Sequence, residues 1–346
     1  MRRVTIGLLG CGTVGRGFVE LLGRERDHIR ARDGIDLEIK RILVRDPEKR
    51  RPNINPALLT TSAVDVLDDG CDVVVELVGG VHSAGAYVRR AIENGRDVVT
   101  ANKALLAGCG QELFAAAAKQ RVRIGFEASV CGAIPIVRTL ARGLAGDSVQ
   151  EINGILNGTC NYILTRMEQD DLDFDAALRM AQERGFAEAD AALDVGGHDA
   201  VQKLRILAEL AFGRVENPSH IRVHGIEDVT RGEIEQARAR RCVVRHVASA
   251  RRVAGGVELR VERRELPEFH PLAAVRDENN AVMLRARAAG DMLFVGKGAG
   301  SLPTASAVLS DVIEIALGSV TLSREDGEGS RRRRSFASLR MTVDLT

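Results

Sequence analysis

The chain has no tryptophan, and only two tyrosines and nine phenylalanines in 346 residues, so its core must be aliphatic. It has no surplus of either charge. The 49 Lys and Arg against 48 Asp and Glu leave a formal net charge of +1, and such a balance points neither to a nucleic acid nor to a membrane surface. Cysteines are few, and none falls in a Cys-x-x-Cys pair. Cys11, Cys71, Cys109, Cys131, Cys160 and Cys242 sit in apolar or glycine-rich surroundings. That is the pattern of small buried hydrophobes rather than of disulfides or a metal site. No apolar run reaches the roughly 18 residues of a membrane span. The basic start Met1-Arg2-Arg3 is not followed by a signal-peptide core. These absences lead us to expect a cytoplasmic protein. Hydrophobic content of 45% with 28% charged residues is ordinary for a globular chain, and the length allows two domains.

What is present begins with alternation. Val4–Leu9 reads as a buried strand, enters Gly10-Cys11-Gly12-Thr13-Val14-Gly15, and continues into helical spacing from Gly17 to Leu22. This is the G-x-G-x-x-G fingerprint with a strand before it and a helix after it. Its glycines permit the turn, the approach of a pyrophosphate, and close helix–strand packing; the anion would sit at the helix N-terminus. A second strand, Leu37–Val44, ends in Arg45-Asp46, with Lys49, Arg50 and Arg51 just beyond. An acid there suits the ribose of NAD and an arginine suits the 2′-phosphate of NADP. Arg45 favours NADP, Asp46 keeps NAD open, and a solvated basic loop is the plain alternative. Further strands at 72–78, 97–100 and 122–126 alternate with helices at 83–94 and about 110–119. Five such strands predict a doubly wound parallel sheet. Ligands bind at the carboxyl ends of strands in such sheets. Gly10–Gly15, Gly79-Gly80, Asn102-Lys103 and Glu127 all fall there, which makes Lys103 a candidate to face the nicotinamide or the substrate.

The second half changes character. A small-residue linker at 128–135 leads to a helix at 136–144 and a strand at 149–156. That strand ends in the polar turn Asn157-Gly158-Thr159-Cys160-Asn161. After a helix at 174–184 comes Glu188-Ala-Asp-Ala-Ala-Leu-Asp194-Val-Gly-Gly-His-Asp199-Ala-Val-Gln-Lys203, which runs into an apolar helix over 199–212. Asp199 and Lys203 share one helix face. Acids grouped beside one lysine can hold an ammonium-bearing substrate and move a proton. On spacing alone, the commoner outcome is a surface ion pair worth about 0.3–0.5 kcal/mol. His198 lies among these acids without metal-ligand spacing. Strands at 242–248, 256–261, 281–284 and 292–295 alternate more than the early ones, predicting a mixed or antiparallel sheet covered on one face. A glycine-rich loop at 296–301 precedes a helix at 303–318, expected to return to the first domain. The end from 320, with Arg331 to Arg334 in a row, reads as a basic disordered tail. The domains expected are therefore 1–130 with helix 303–318, and 131–302.

Taken in order, these motifs resemble the homoserine dehydrogenase family. They are Gly10-Cys-Gly12-Thr-Val-Gly15; Val-Val-Glu76-Leu-Val-Gly79-Gly80; Thr-Ala-Asn102-Lys103; Glu127-Ala-Ser-Val; Leu-Asn157-Gly-Thr159; Ala-Glu188-Ala-Asp190; and Gly300-Ser-Leu-Pro303-Thr-Ala-Ser. The resemblance implies NAD(P)-dependent interconversion of L-homoserine and L-aspartate 4-semialdehyde, by a homodimer built on an α+β second domain. It implies a catalytic lysine at Lys203 with partner Asp199, a second active-site lysine at Lys103, and Glu188 and Asp194 on the substrate ammonium. Thr159 and Asn157 fall in its substrate-pocket motif. Thr13, Val14, Arg45, Gly79 and Gly300 join the fingerprint glycines on the cofactor. The family also binds a monovalent cation, usually Na+, which maps to Glu127, Val130, Gly132 and Ile134. Departures are Phe186, where many members have Tyr, and Lys297, where Pro is usual. The roughly 27 residues after Ser319 are too few for the regulatory ACT domain of many bacterial members.

Overall fold

The computed structural model describes residues 1–213 and 221–324, with side chains to residue 318. It divides into two compact units: Met1–Gly132 together with the chain from Gly300, and Ala133–Ala299.

The first unit opens with β1 (Arg2–Leu9), α1 (Thr13–Asp33) and β2 (Ile35–Leu43). Then come β3 (Leu59–Thr60), α2 (Val64–Leu67), β4 (Val73–Glu76), α3 (His82–Glu93), β5 (Asp97–Thr100), α4 (Lys103–Gln120) and β6 (Ile124–Gly125). All pairings are parallel, in the order β3-β2-β1-β4-β5-β6. This is the doubly wound sheet expected, with a sixth strand. The two-residue β3 carries too short an apolar run to be read. The helix expected at about 110–119 begins instead at Lys103, where Asn102 caps it by accepting from the Leu105 N–H at 3.0 Å. Gly108 and Gly110 inside its first turns hid that start. Ile6, Leu8, Leu37, Ile42, Val73, Val75 and Val99 are buried. They read as near-continuous apolar runs because a parallel sheet is covered on both faces.

The second unit holds α5 (Ile136–Arg138), which widens into a π turn at Thr139–Gly143, then β7 (Val149–Ile155), α6 (Gly158–Asp170), α7 (Phe174–Glu183), α8 (Ala192–Val195) and α9 (His198–Phe212). It continues with β8 (Arg222–Val223), α10 (Arg231–Ala239), β9 (Cys242–Val253), β10 (Gly256–Pro267), β11 (Asn279–Ala286) and β12 (Gly290–Lys297). The sheet order is β12-β11-β7-β9-β10-β8. Its pairings are antiparallel except for β8, which runs parallel to β10, so the sheet is mixed. Strands β9 and β10 are longer than their apolar alternation suggests, because the hairpin extends through the exposed Arg251, Arg252 and Val253. Packed over the sheet are Tyr162, Ile163 and Met167 of α6, Ala177 and Ala181 of α7, and Ile234 and Ala237 of α10.

The chain then returns to the first unit as α11 (Ser301–Arg324). This helix starts two residues earlier than expected and runs past residue 320, while the arginine run at 331–334 lies outside the described residues. Ala305, Val308, Val312 and Ala316 join the core of the parallel sheet. Gly17 on α1 lets the two helices meet: a Cβ there would lie 2.5 Å from Ser301 Oγ. By length and composition alone, Ser301–Gly318 is apolar enough to cross a membrane. Half of that stretch is buried within the protein. Leu302, Val308, Leu309, Val312, Ile313, Ile315 and Leu317 raise its mean hydropathy, while Asp311 and Glu314 interrupt any continuous apolar run.

Candidate active site

In the first unit the fingerprint turn is built as its glycines require. Gly10 has φ +96°, and a Cβ there would lie 2.6 Å from the Leu77 carbonyl oxygen. A Cβ on Gly15 would lie 2.4 Å from the Gly10 carbonyl, so α1 can approach β1 only without a side chain at that position. Gly12 faces open space and caps α1 with no side-chain hydrogen bond, and no acid occupies the first turn. Thr13 and Val14 therefore open a helix whose N-terminal N–H groups suit a phosphate. The Thr13 carbonyl accepts from Ser301 Oγ at 2.8 Å, and Gly300 precedes it with φ +119°.

Beyond β2, Asp46 Oδ1 is engaged locally, accepting from the Glu48 and Lys49 N–H groups at 2.9 and 3.2 Å. Arg45 is exposed. Arg51 folds back, donating to the Asp46 and Lys49 carbonyls at 2.9 and 2.8 Å. An open cavity of about 400 Å³ is lined by Lys49, Arg50, Arg51 and Ile54. Burial raises the Cys11 thiol pKa, and the positive charges of Arg51 and Arg16 oppose that rise. Two arginines thus lie beside the fingerprint turn.

At the ends of β4 and β5 the carboxylate of Glu76, fully buried, accepts from the Val78 and Gly79 N–H groups at 2.8 and 3.1 Å and from Thr100 Oγ at 2.6 Å. Gly79 takes φ +77°. Asn102 donates to the Gly80 carbonyl at 2.6 Å. One carboxylate and one amide thereby fix the turn above the two strands, and Lys103 is the first residue of the helix that follows. Glu76 and Thr100 had no assigned role in the sequence reading; the signal was a lone acid closing an all-valine strand.

The stretch proposed for a cation is oxygen-rich. Glu127 is 2% exposed, its N–H donates to Asp311 Oδ2 at 2.8 Å, and its carbonyl accepts from Val130 N–H at 3.3 Å. Cys131 and Gly132 both take left-handed φ, +55° and +52°, which turns the chain sharply after Val130. The Ile134 carbonyl accepts from Ile136 N–H at 2.8 Å. Among the described residues no group of three or more His, Cys, Asp or Glu could hold a metal ion. A buried carboxylate with carbonyls in a sharp turn is a donor set for a hard cation and not for a soft one.

The second unit carries the acid–lysine group. At the end of β7, Asn157 caps α6 by accepting from the Cys160 N–H at 2.8 Å. Its amide donates to Asp194 Oδ1 at 2.7 Å and to Asp199 Oδ2 at 2.9 Å. Lys203 Nζ lies 2.7 Å from Asp199 Oδ2 and donates to the Leu156 carbonyl at 2.8 Å. Thr159 Oγ donates to the Phe186 carbonyl at 2.7 Å and lies 3.4 Å from Asp194 Oδ2. The Lys203 and Asp199 side chains are only 12% and 10% exposed. They are therefore not the solvated pair that their spacing would allow. Beneath them, Cys160 Sγ donates to the Asp194 carbonyl at 3.1 Å. Its thiol pKa stands well above the ordinary value, first through burial and then through the charges of Asp194 and Asp199.

The structure thus brings Asn157, Thr159, Asp194, Asp199 and Lys203 together. Glu188 stands apart, exposed on the connection between α7 and α8. Its backbone carbonyl accepts from Gln182 at 3.2 Å, and among the described residues no hydrogen bond ties its carboxylate to the cluster. Phe186 packs on Tyr162 with ring centroids 4.9 Å apart, and Lys297 pairs with Glu278.

Both units match family models: residues 10–127 the NAD binding domain of homoserine dehydrogenase, and residues 135–313 homoserine dehydrogenase itself. The chain belongs to the homoserine dehydrogenase family. It is similar to the homoserine dehydrogenase of Bacillus subtilis, at 41% identity over 317 residues that cover 91% of this chain and 73% of that protein. The crystal structure of a homoserine dehydrogenase from Thiobacillus denitrificans superimposes with a TM-score of 0.88 at 40% identity, covering 95% of this chain and 76% of that one. A hyperthermophilic archaeal homoserine dehydrogenase in complex with NADPH matches with a TM-score of 0.77 at 25% identity, over 91% of this chain and 98% of that one. As a homoserine dehydrogenase, the chain is an NAD(P)-dependent oxidoreductase with a small-molecule substrate.

Proposed function

We propose that the chain interconverts L-homoserine and L-aspartate 4-semialdehyde, with Lys203 as the proton carrier. The nicotinamide cofactor, when bound, gives up or accepts the hydride at the substrate carbon. Lys203 gives its proton to the oxygen that becomes the hydroxyl, and takes that proton back in the oxidative direction. The observation that carries this reading is the anchoring of Lys203 Nζ between Asp199 and the Leu156 carbonyl, at 2.7 and 2.8 Å. A lysine held at both points is aimed in one direction, which a flexible surface lysine is not. Asp199 orients it. Asp194, steadied by Asn157 and Thr159, accepts from the substrate ammonium by a charge-assisted hydrogen bond. By the family resemblance, Glu188 also serves the substrate ammonium. Lys103 polarises the carbonyl oxygen.

The cofactor favoured is NADP. The support is the local engagement of Asp46 Oδ1 and the basic cavity formed by Lys49, Arg50 and Arg51, with Arg45 exposed beside it. Glu127 and the carbonyls of Val130, Gly132 and Ile134 would hold a monovalent cation, Na+, as a structural ion. A cytoplasmic homodimer assembled through the second unit completes the proposal, serving threonine, methionine and isoleucine synthesis, with no nucleic-acid or membrane partner.

The test is a steady-state assay of homoserine oxidation with NADP and NAD in parallel, alongside other hydroxy amino acids. In that assay Lys203→Ala should lose about 10²–10⁴-fold in turnover with an unchanged circular dichroism spectrum. Near-normal turnover in the folded variant overturns the assignment.

A further inference from the structure

We propose that Asn280 is a positioning residue for Lys203, acting through the carbonyl of Leu156; this rests on reading Lys203 as the proton carrier. Asn280 is 1% exposed at the start of β11, and its amide donates to the Leu156 oxygen at 2.9 Å. That oxygen also accepts from Lys203 at 2.8 Å. A carbonyl has two lone pairs. With one given to each donor, the direction in which it can receive the lysine is set by Asn280.

Asn280 is itself clamped. Gly298 lies flat on its amide, and a Cβ there would come within 2.1 Å of the Asn280 Cγ. The preceding segment is tied to α6 by Asn161, whose single amide nitrogen donates to the Val275, Asp277 and Asn279 carbonyls at 3.3, 2.9 and 3.2 Å. Thr165 Oγ accepts from the Asp277 N–H at 3.1 Å. Gly158 meets the same segment, since a Cβ there would lie 2.6 Å from the Glu278 carbonyl. Among the described residues the Oδ1 atom of Asn280 has no hydrogen-bond partner. An apolar residue of the same branched shape would occupy the position without burying that oxygen, so the donor is the end of the side chain that the position uses.

The charges that act on Cys160 in the cluster are Asp194 on α8, Asp199 and Lys203 on α9 and Glu227 after β8, and the Glu278–Lys297 pair flanks Asn280. None of them changes when Asn280 does. Without its second donor, the Leu156 oxygen accepts more strongly from the ammonium and is free to turn. Lys203 then holds its proton to higher pH and is less well aimed.

The experiment is Asn280→Leu in the full chain, which keeps the branched shape and removes the donor, assayed for homoserine oxidation across the alkaline range. The expected result is a kcat lower by about tenfold or more, with KM for homoserine within about threefold and the acid limb of the kcat profile moved to higher pH. Gly298→Ala, which displaces the amide without removing it, should move the same limb the same way, and decides the matter if Asn280→Leu does not fold. Wild-type kcat and pH profile in the folded variants, or a change confined to KM, overturns the inference. Lys203→Ala separates the two levels. If it keeps its turnover, the reading of Lys203 fails. If it loses turnover while Asn280→Leu does not, only the role of Asn280 fails.

Discussion

Replacing Asn157 by Asp turns one NH₂ group into one oxygen at the centre of the acid–lysine cluster. The residue is 4% exposed. Its cap on α6 survives, because either carboxylate oxygen can accept from the Cys160 N–H now at 2.8 Å. Its other end, 2.7 Å from Asp194 and 2.9 Å from Asp199, changes from donor to acceptor. Three carboxylates within contact distance cannot all stay ionised, so one takes up a proton. Holding that proton at pH 7 on a group with an ordinary pKa near 4 costs about 4 kcal/mol, at about 1.4 kcal/mol per pH unit. The loss of one hydrogen bond to a charged group adds about 1.5–3 kcal/mol. The sum, roughly 6 kcal/mol, is an upper bound, since water can reach the half-buried Asp194.

Asn157→Ala makes the contrast. It loses the cap, about 1 kcal/mol, and both donor bonds, but it adds no charge. The sign of the pH dependence separates the two variants. In the Asp variant the folded-state pKa of the shared carboxylates is raised above the unfolded value. The folded form then binds the extra proton, and stability falls as pH rises from about 4 towards the raised pKa. Urea unfolding followed by circular dichroism at pH 5, 6 and 7 checks this. The destabilisation of Asn157→Asp should grow by about 1.4 kcal/mol per pH unit, while that of Asn157→Ala stays level. A level profile for the Asp variant would refute the claim that Asn157 separates two ionised carboxylates.

Three further outcomes follow from single contacts. Glu209 on α9 is buried, its Oε2 has no hydrogen-bond partner among the described residues, and burial lifts its pKa to about 7. A raised carboxylate pKa makes stability fall as pH rises from about 4.5 to about 7, so Glu209→Gln should flatten the melting-temperature profile there and raise it most above pH 7. Arg51→Ser should raise the KM for NADP by about tenfold and leave that for NAD little changed, through loss of a charge-assisted phosphate contact; equal effects on both cofactors would count against the basic cavity. Gly15→Ala places a Cβ 2.4 Å from the Gly10 carbonyl, so α1 must shift from β1, and fluorescence titration should find both reduced cofactors bound at least about tenfold more weakly.

The first sheet was legible because its strands are buried on both faces. Val73, Val74 and Val75 have no other reading. What escaped there was set by capping and not by hydrophobicity: the start of α4 depends on one side-chain bond from Asn102 to Leu105 N–H, across a stretch with two glycines. At α11 the helix is apolar enough by composition to span a membrane, yet Asp311 and Glu314 break it, so it forms no continuous apolar run.

The acid–lysine group shows a deeper limit. Asp199 and Lys203 are four apart, and that spacing is open to anyone reading the chain. An exposed pair at that spacing is worth only about 0.3–0.5 kcal/mol, and nothing local distinguishes it from one that handles a proton. The difference lies in the partners. Lys203 is anchored by a carbonyl 47 positions earlier, and Asp199 by an amide 42 positions earlier. Both partners sit where β7 gives way to α6, and that junction is held in turn by Asn280, which lies 124 positions beyond Leu156. Burying two opposite charges is unfavourable unless their remaining hydrogen-bonding capacity is met. The long-range donors and acceptors are therefore what permit this pair to be buried at all, and periodicity holds no record of them.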